Sequence, residues 1–218
     1  FFRRKFSDLK FPVTFFVTED FRQDPRPLAE EVVQMLDFFQ SEYGEPTWSE
    51  LNLVQVDNVE LPSTGCAGLT LLEPAILQQP SSSRMELARR IARQWWGCSV
   101  RFAGPSDAWL ADGFATYAAL RYFQVKYPEE FSSQLAHQAV QALKYENQSP
   151  IRKGLELGIG SDEYKSVVGA KGAWVLYMLS QVIENSKFNT ILREWYREKS
   201  AQAASTAEWI DFLRARTG

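Results

Sequence analysis

The chain has 218 residues, 45% of them hydrophobic and 23% charged, with a formal net charge of −3. Fourteen per cent aromatic residues, seven of them Trp, supply ample surface to bury and exclude a disordered chain. One histidine, His137, excludes any site that needs two imidazoles, and two cysteines, Cys66 and Cys98, cannot build a four-thiolate zinc site. The mild acidity offers no global basic field for nucleic acid.

The chain opens on Phe1-Phe2-Arg3-Arg4-Lys5, with neither an initiator Met nor a small-residue cleavage site. It reads as an excised piece of a longer protein, cut before a strand. Phe11 to Thr18 is β-branched and aromatic and predicts a strand. Asp24-Pro25-Arg26-Pro27 then leads into a helix from about Leu28 to Tyr43, where Leu28, Val32, Met35, Leu36 and Phe39 share a face and Gly44 stops it. Leu51–Val56 and Gly68–Leu72 read as further strands, parted by a loop around Pro62-Ser63-Thr64-Gly65.

After Pro80 the pattern is helical. Ser81-Ser82-Ser83 offers N-caps for a helix running to about Trp96 and closed by Gly97. Helices follow at about 107–127 and from Pro128 to Leu143. A Gly-rich polar loop spans 147–160, and helices near 161–185, 187–199 and 205–215 finish the chain. This predicts one α+β, mostly helical domain over 1–218, sheet-bearing in 1–80 and helical in 81–218. The longest wholly apolar runs are short, so no membrane insertion by this piece is expected.

Two stretches carry a resemblance. Arg89-Arg90-Ile91-Ala92-Arg93-Gln94-Trp95-Trp96-Gly97 ends a helix on two tryptophans, and nineteen residues after Arg93 stands Asp112 in Trp109-Leu110-Ala111-Asp112-Gly113-Phe114-Ala115-Thr116-Tyr117. They resemble, without a gap, the H-E-x-x-H-x-W-W-G and N-E-G-F-A-x-Y segments of the gluzincin zinc aminopeptidases, the membrane alanyl aminopeptidase type. Val167 to Leu179 is similar to that family's Y-x-K-G-A-x-V-L-x-M-L, and Ser63 to Leu69 lies where it writes G-G-M-E-x-P-G-L. The resemblance covers roughly residues 10–215 and implies a thermolysin-like (zincin) catalytic-domain fold.

Carried over residue by residue, the resemblance puts the wrong chemistry at each catalytic position. The two histidine ligands fall on Arg89 and Arg93, the glutamate ligand on Asp112 and the general base on Arg90. The tyrosine that stabilises the transition state falls on Gly169, and the glutamate that clamps a substrate's amino group on Gly65. A guanidinium is always protonated, so it neither binds zinc nor takes a proton from water. Zinc is therefore expected to be absent, and no cofactor replaces it. Tyr164, five residues before Gly169, is not expected to reach the site. Trp95, Trp96, Trp109, Phe114 and Tyr117 read as core, and Lys171-Gly172-Ala173 as close helix packing. His137 reads as a partly exposed surface residue.

The expected function is that of a non-catalytic aminopeptidase-like domain, a pseudopeptidase that serves as a scaffold or a peptide or protein interaction module. Two alternatives stay open. One is an active metallopeptidase with atypical ligands, for instance from Cys66, Cys98, Asp112 and His137. The other is an anion site in the basic cluster Arg84, Arg89, Arg90, Arg93 and Arg101. The candidate cleft residues are Arg89, Arg90, Arg93 and Asp112. Positions 89 and 93 lie about 40° apart around one helix, so a salt bridge from Arg89 or Arg93 to Asp112 is expected in the metal's place, with a second acid or a solvent-exposed position needed for the other arginine. Partner identity, compartment and any pairing of Cys66 with Cys98 are not legible.

Overall fold

A computed structural model describes residues 2–19, 21–57, 65–78, 82–145 and 147–218. Its sheet holds β1 (Phe2–Phe6), β2 (Val13–Val17), β3 (Leu51–Gln55), β5 (Leu69–Leu72) and β4 (Gly65–Cys66), in that spatial order. β2, β3 and β5 run parallel, and β1 and β4 are antiparallel edges. The helix α1 (Arg26–Tyr43) joins β2 to β3 and buries Val32, Met35, Leu36 and Phe39 in the same core as the sheet's Val13, Phe15, Leu51 and Leu53. A parallel pair needs such a crossover, and the three-to-four-residue spacing of apolar side chains in α1 supplies its buried face.

The helical part is built around α4 (Trp109–Lys126), which is buried on every side over most of its length. Ala111, Gly113, Ala115, Ala118 and Ala119 keep it slim enough for neighbours to approach on all faces. Packed around it are α3 (Arg84–Ala92), α5 (Pro128–Leu143) and a helical stretch made of α6 (Asp162–Tyr164), a π-helical segment (Lys165–Lys171) and α7 (Gly172–Ile183). Gly113 of α4 and Gly172 of α7 meet backbone to backbone: a Cβ on either would lie 3.0 Å from the other's Cα. Close helix packing at Gly172 is thus as expected. Asp162–Ile183 is long and apolar enough to cross a membrane by composition, yet Gly172, Ala173, Leu176 and Ser180 are buried within the fold.

The remaining helices are α2 (Pro74–Gln78), α8 (Asn185–Lys199) and α9 (Thr206–Thr217). α9 begins with a capping box between Ser205 and Glu208. The Asp107 carboxylate also accepts from Thr206 N at 2.9 Å and Thr206 Oγ1 at 2.7 Å. Rings from three helices and the turn after α3 interlock here: Trp96 on Phe114, Phe114 on Trp209, and Trp209 on Trp195, with centroids 5.2–5.3 Å apart.

Several expectations need correction. The chain's opening forms a strand of its own, β1, and two-residue strands β6 (Arg101–Phe102) and β7 (Ala203–Ala204) pair inside the helical part. α3 stops at Ala92, four residues before the expected end. Beyond it, Cys98 N donates to Arg93 O and Val100 N to Trp95 O, turning the chain tightly through Gly97 at φ +117°. The polar loop 147–160 contains a 3₁₀ turn, Ile151–Leu157. Part of the expected loop, Pro62-Ser63-Thr64, lies outside the described residues, as does Ser81.

Candidate active-site cleft

α3 presents Arg89 on the face that looks across at α4, and Arg93 follows one turn later, just past the helix end. Gly97 makes room for it: a Cβ there would lie 3.1 Å from Arg93 Nη2, so the residue that closes the Trp-Trp-Gly turn also seats the guanidinium. From α4 comes Asp112, 4% exposed. Arg93 Nη1 donates to Asp112 Oδ1, and Arg89 Nη1 reaches the same oxygen at 3.3 Å. Both arginines expected as candidates for this salt bridge make it.

The other carboxylate oxygen is taken as well. Tyr164 Oη donates to Asp112 Oδ2 at 2.6 Å. This corrects the expectation that Tyr164 stays out of the site, and the cause is local. Residues 165–171 wind as a π-helix, whose hydrogen bonds run five residues back, so residue 164 stacks about one wide turn from Gly169. Ser161 fixes its start by accepting from Tyr164 N at 3.0 Å. Burial first, and then the Asp112 carboxylate, push the phenol well above its ordinary pKa, so it stays a donor.

The second acid is Glu86, one turn before the arginines on α3. Its carboxylate takes Arg89 in a fork, Nε at 2.8 Å and Nη2 at 2.6 Å, and Arg90 Nε at 2.6 Å. Partial burial alone would raise its pKa, but Arg89 and Arg90 outweigh that and hold it at about 2. Burial works against Arg89's charge, while Glu86 and Asp112 raise its pKa above the usual arginine value. Sequence reading missed Glu86 although the signal was present: acid-to-arginine spacings of three and four residues put them on one helix face.

Above this floor lies a cavity of about 770 Å³, lined among others by Met85, Arg90, His137, Ile159, Lys165 and Gly169. That volume is in the range of small-ligand pockets. Gly169 leaves space, since a Cβ there would find only Thr116 Oγ1, at 3.9 Å. His137 is exposed, as expected, and faces the cavity rim.

Other expected members lie elsewhere. Gly65 does not line the cavity, and in β4 a Cβ on it would fall 2.2 Å from Leu69 O. Arg84 stacks on Tyr127 at 4.3 Å and pairs with Glu31 and Glu130, and Arg101 sits exposed on β6. The five-arginine cluster is therefore not one patch, because Arg84 and Arg89 are about 140° apart around α3. Cys66 and Cys98 are free thiols, and burial pushes Cys98 up to about 11. Among the described residues no group of three or more His, Cys, Asp or Glu side chains is placed to hold a metal. At the zincin metal position, a carboxylate already engaged by two guanidiniums and a phenol does not fit a zinc ion.

Residues 28–218 match the Peptidase family M1 domain. The chain is similar to endoplasmic reticulum aminopeptidase 2 of Homo sapiens, 24% identical over 207 residues, which is 88% of this chain and 22% of that protein. Aminopeptidase N of Canis lupus familiaris is 28% identical over 179 residues, 71% of this chain and 18% of that protein. Among solved structures, a mutant M1 zinc metallopeptidase from Deinococcus radiodurans bound to a Tyr-Ser-Ala substrate matches with a TM-score of 0.75 and 19% identity. That match covers 99% of this chain and 48% of the other. The chain thus spans about a fifth of these curated relatives' length. The arrangement of sheet, central helix and cleft described above is that of this fold, and the chain belongs to peptidase family M1.

Proposed function

We propose that this M1 domain is a non-catalytic, aminopeptidase-like module that works as a scaffold or as a peptide or protein interaction domain. The observation that carries the reading is the double occupation of Asp112, with Arg93 and Arg89 on one oxygen and Tyr164 on the other. Peptide hydrolysis needs an activated water, supplied by a Lewis-acidic metal or a base with a pKa near the working pH. Arg89, Arg90 and Arg93 can offer neither. On the floor, Glu86 is a carboxylate held at about 2 with its oxygens engaged and too weak a base, while Glu73 and His137 line the cavity from exposed positions. Tyr164 spends its proton on Asp112 rather than on a developing oxyanion. No observation favours a peptidase with atypical ligands.

The test is metal analysis and assay of protein purified from zinc-supplemented medium. The reading expects substoichiometric zinc, no hydrolysis of aminoacyl arylamides, and a melting temperature that chelator leaves unchanged. About one zinc per chain together with chelator-sensitive hydrolysis would overturn it.

A further inference from the structure

Donors and acceptors around the cavity are unequally used. Both oxygens of Asp112 and both of Glu86 already accept from arginine or tyrosine. Arg90 is different. Its side chain is only 7% exposed, and among the described residues its Nε alone is hydrogen-bonded and its buried Nη1 has no partner. Nη2 faces Glu73 Oε1 at 3.7 Å, beyond hydrogen-bond distance, and Glu73 is itself 40% exposed. Lys165 lines the cavity from the π-helical segment, exposed and, among the described residues, in no ion pair. The cavity lining carries three cations, Arg89, Arg90 and Lys165, and three acids, Glu73, Glu86 and Asp112, and Arg93, buried off the lining, adds a further positive charge on Asp112. A buried guanidinium with idle donors is costly unless something accepts from it.

We propose that the cleft binds a ligand ending in a single carboxylate with a short apolar body, recognised by Arg90 and drawn in by Lys165. This rests on reading the cleft as free of metal. Glu73 rotates outward and yields the Nη edge of Arg90, which takes a carboxylate in a fork, while Met85 and Ile159 flank the apolar body. The spare donors are the buried ones, on Arg90, and call for an anion; the carboxylate left without a hydrogen bond among the described residues, Glu73, is 40% exposed. The carboxylate belongs either to a peptide C-terminus or to a free small acid.

The experiment is calorimetric titration, at pH 7 and low salt, of protein first shown by metal analysis to be zinc-free. The probes are N-acetyl-leucyl-leucine with a free C-terminal carboxylate, the same peptide as its amide, and 4-methylpentanoate. A carboxylate probe should bind at least about tenfold tighter than the amide. Preference for the peptide acid assigns the peptide source, and preference for 4-methylpentanoate assigns the small acid. Glu73→Gln, a substitution on an exposed side chain, should tighten acid binding several-fold, because it uncovers Arg90 and removes a negative charge. Lys165→Gln should weaken it about threefold and leave the amide unaffected. Equal affinity for acid and amide, no binding of any probe, or a Glu73→Gln variant with unchanged or weaker acid binding would each overturn the inference. Those results on zinc-free, inactive protein leave the non-catalytic reading standing, whereas zinc-dependent hydrolysis overturns that reading on its own.

Discussion

The aromatic frame and the polar floor meet at α3 and α4, yet they hold the fold by different physics. Trp95, Trp96, Phe114, Trp195 and Trp209 are all 1% exposed or less, and they stabilise by area removed from water, at roughly 25 cal/mol per Å². Arg93, Asp112 and Tyr164 are buried and Arg89 and Glu86 partly so, and these polar groups stabilise only while their partners are present, because each one's desolvation is offset by the others. The frame does not depend on what the floor holds. On the non-catalytic reading proposed above, such a frame lets a peptidase fold carry guanidiniums where the resemblance expects imidazoles and keep its helices in place.

The contrast can be broken by mutation. Trp96→Ala should cost about 3–5 kcal/mol in urea unfolding, since its ring packs on Tyr43, Phe114 and Tyr196 at once. Asp112→Ala leaves Arg93 and Tyr164 without their acceptor and Arg89 with Glu86 alone, and should cost about 3 kcal/mol. A loss beyond that of Trp96→Ala would make the charged tie, rather than the frame, the main support.

Acid sharpens the comparison further. Glu86 has a folded pKa of about 2, below its unfolded value of roughly 4.3. Its contribution is full above the unfolded value and fades as the pH falls from there through 2. Its side chain is 37% exposed, so screening reduces the effect to about 1–2 kcal/mol. Wild type should lose that much more stability than Glu86→Gln between pH 5 and pH 2, and equal slopes would remove Glu86 from the network. The smallest change belongs to the surface pair Lys144–Asp162, 47% and 71% exposed. Lys144→Ala there should shift stability by under about 0.5 kcal/mol.

Much of the fold was legible because apolar spacing carries it. α1 and α5 begin and end within two residues of their expected bounds, and β2, β3 and β5 lie inside the runs read as strands. β1 was not legible, because an exposed edge strand reading Phe-Arg-Arg-Lys-Phe has no buried face to impose alternation. α3 ends early for a tertiary reason: the two tryptophans are wanted in different directions, Trp95 Nε1 donating to Gly44 O and Trp96 lying in the ring cluster. In the site, Arg89, Arg93 and Asp112 were legible from the resemblance and from helical phase. Tyr164 was not, since it lies five residues before Gly169 and only the π-helical winding of 165–171 stacks it about one turn away. Grouping Arg84 and Arg101 with the cleft failed because nearness in sequence ignores the direction a helix points each side chain.

The glycine contact between α4 and α7 reaches further than packing. Because Gly113 and Gly172 touch through their backbones, no side chain cushions that crossing, and the separation of the two helices is fixed by their bare main chains. Asp112 is the residue before Gly113, and Tyr164 hangs from the far end of the π-helical segment that runs into Gly172. The crossing therefore works as the fulcrum of a short lever. A single methyl group wedged there would pry the hydroxyl from the carboxylate at the lever's other end, without touching either residue.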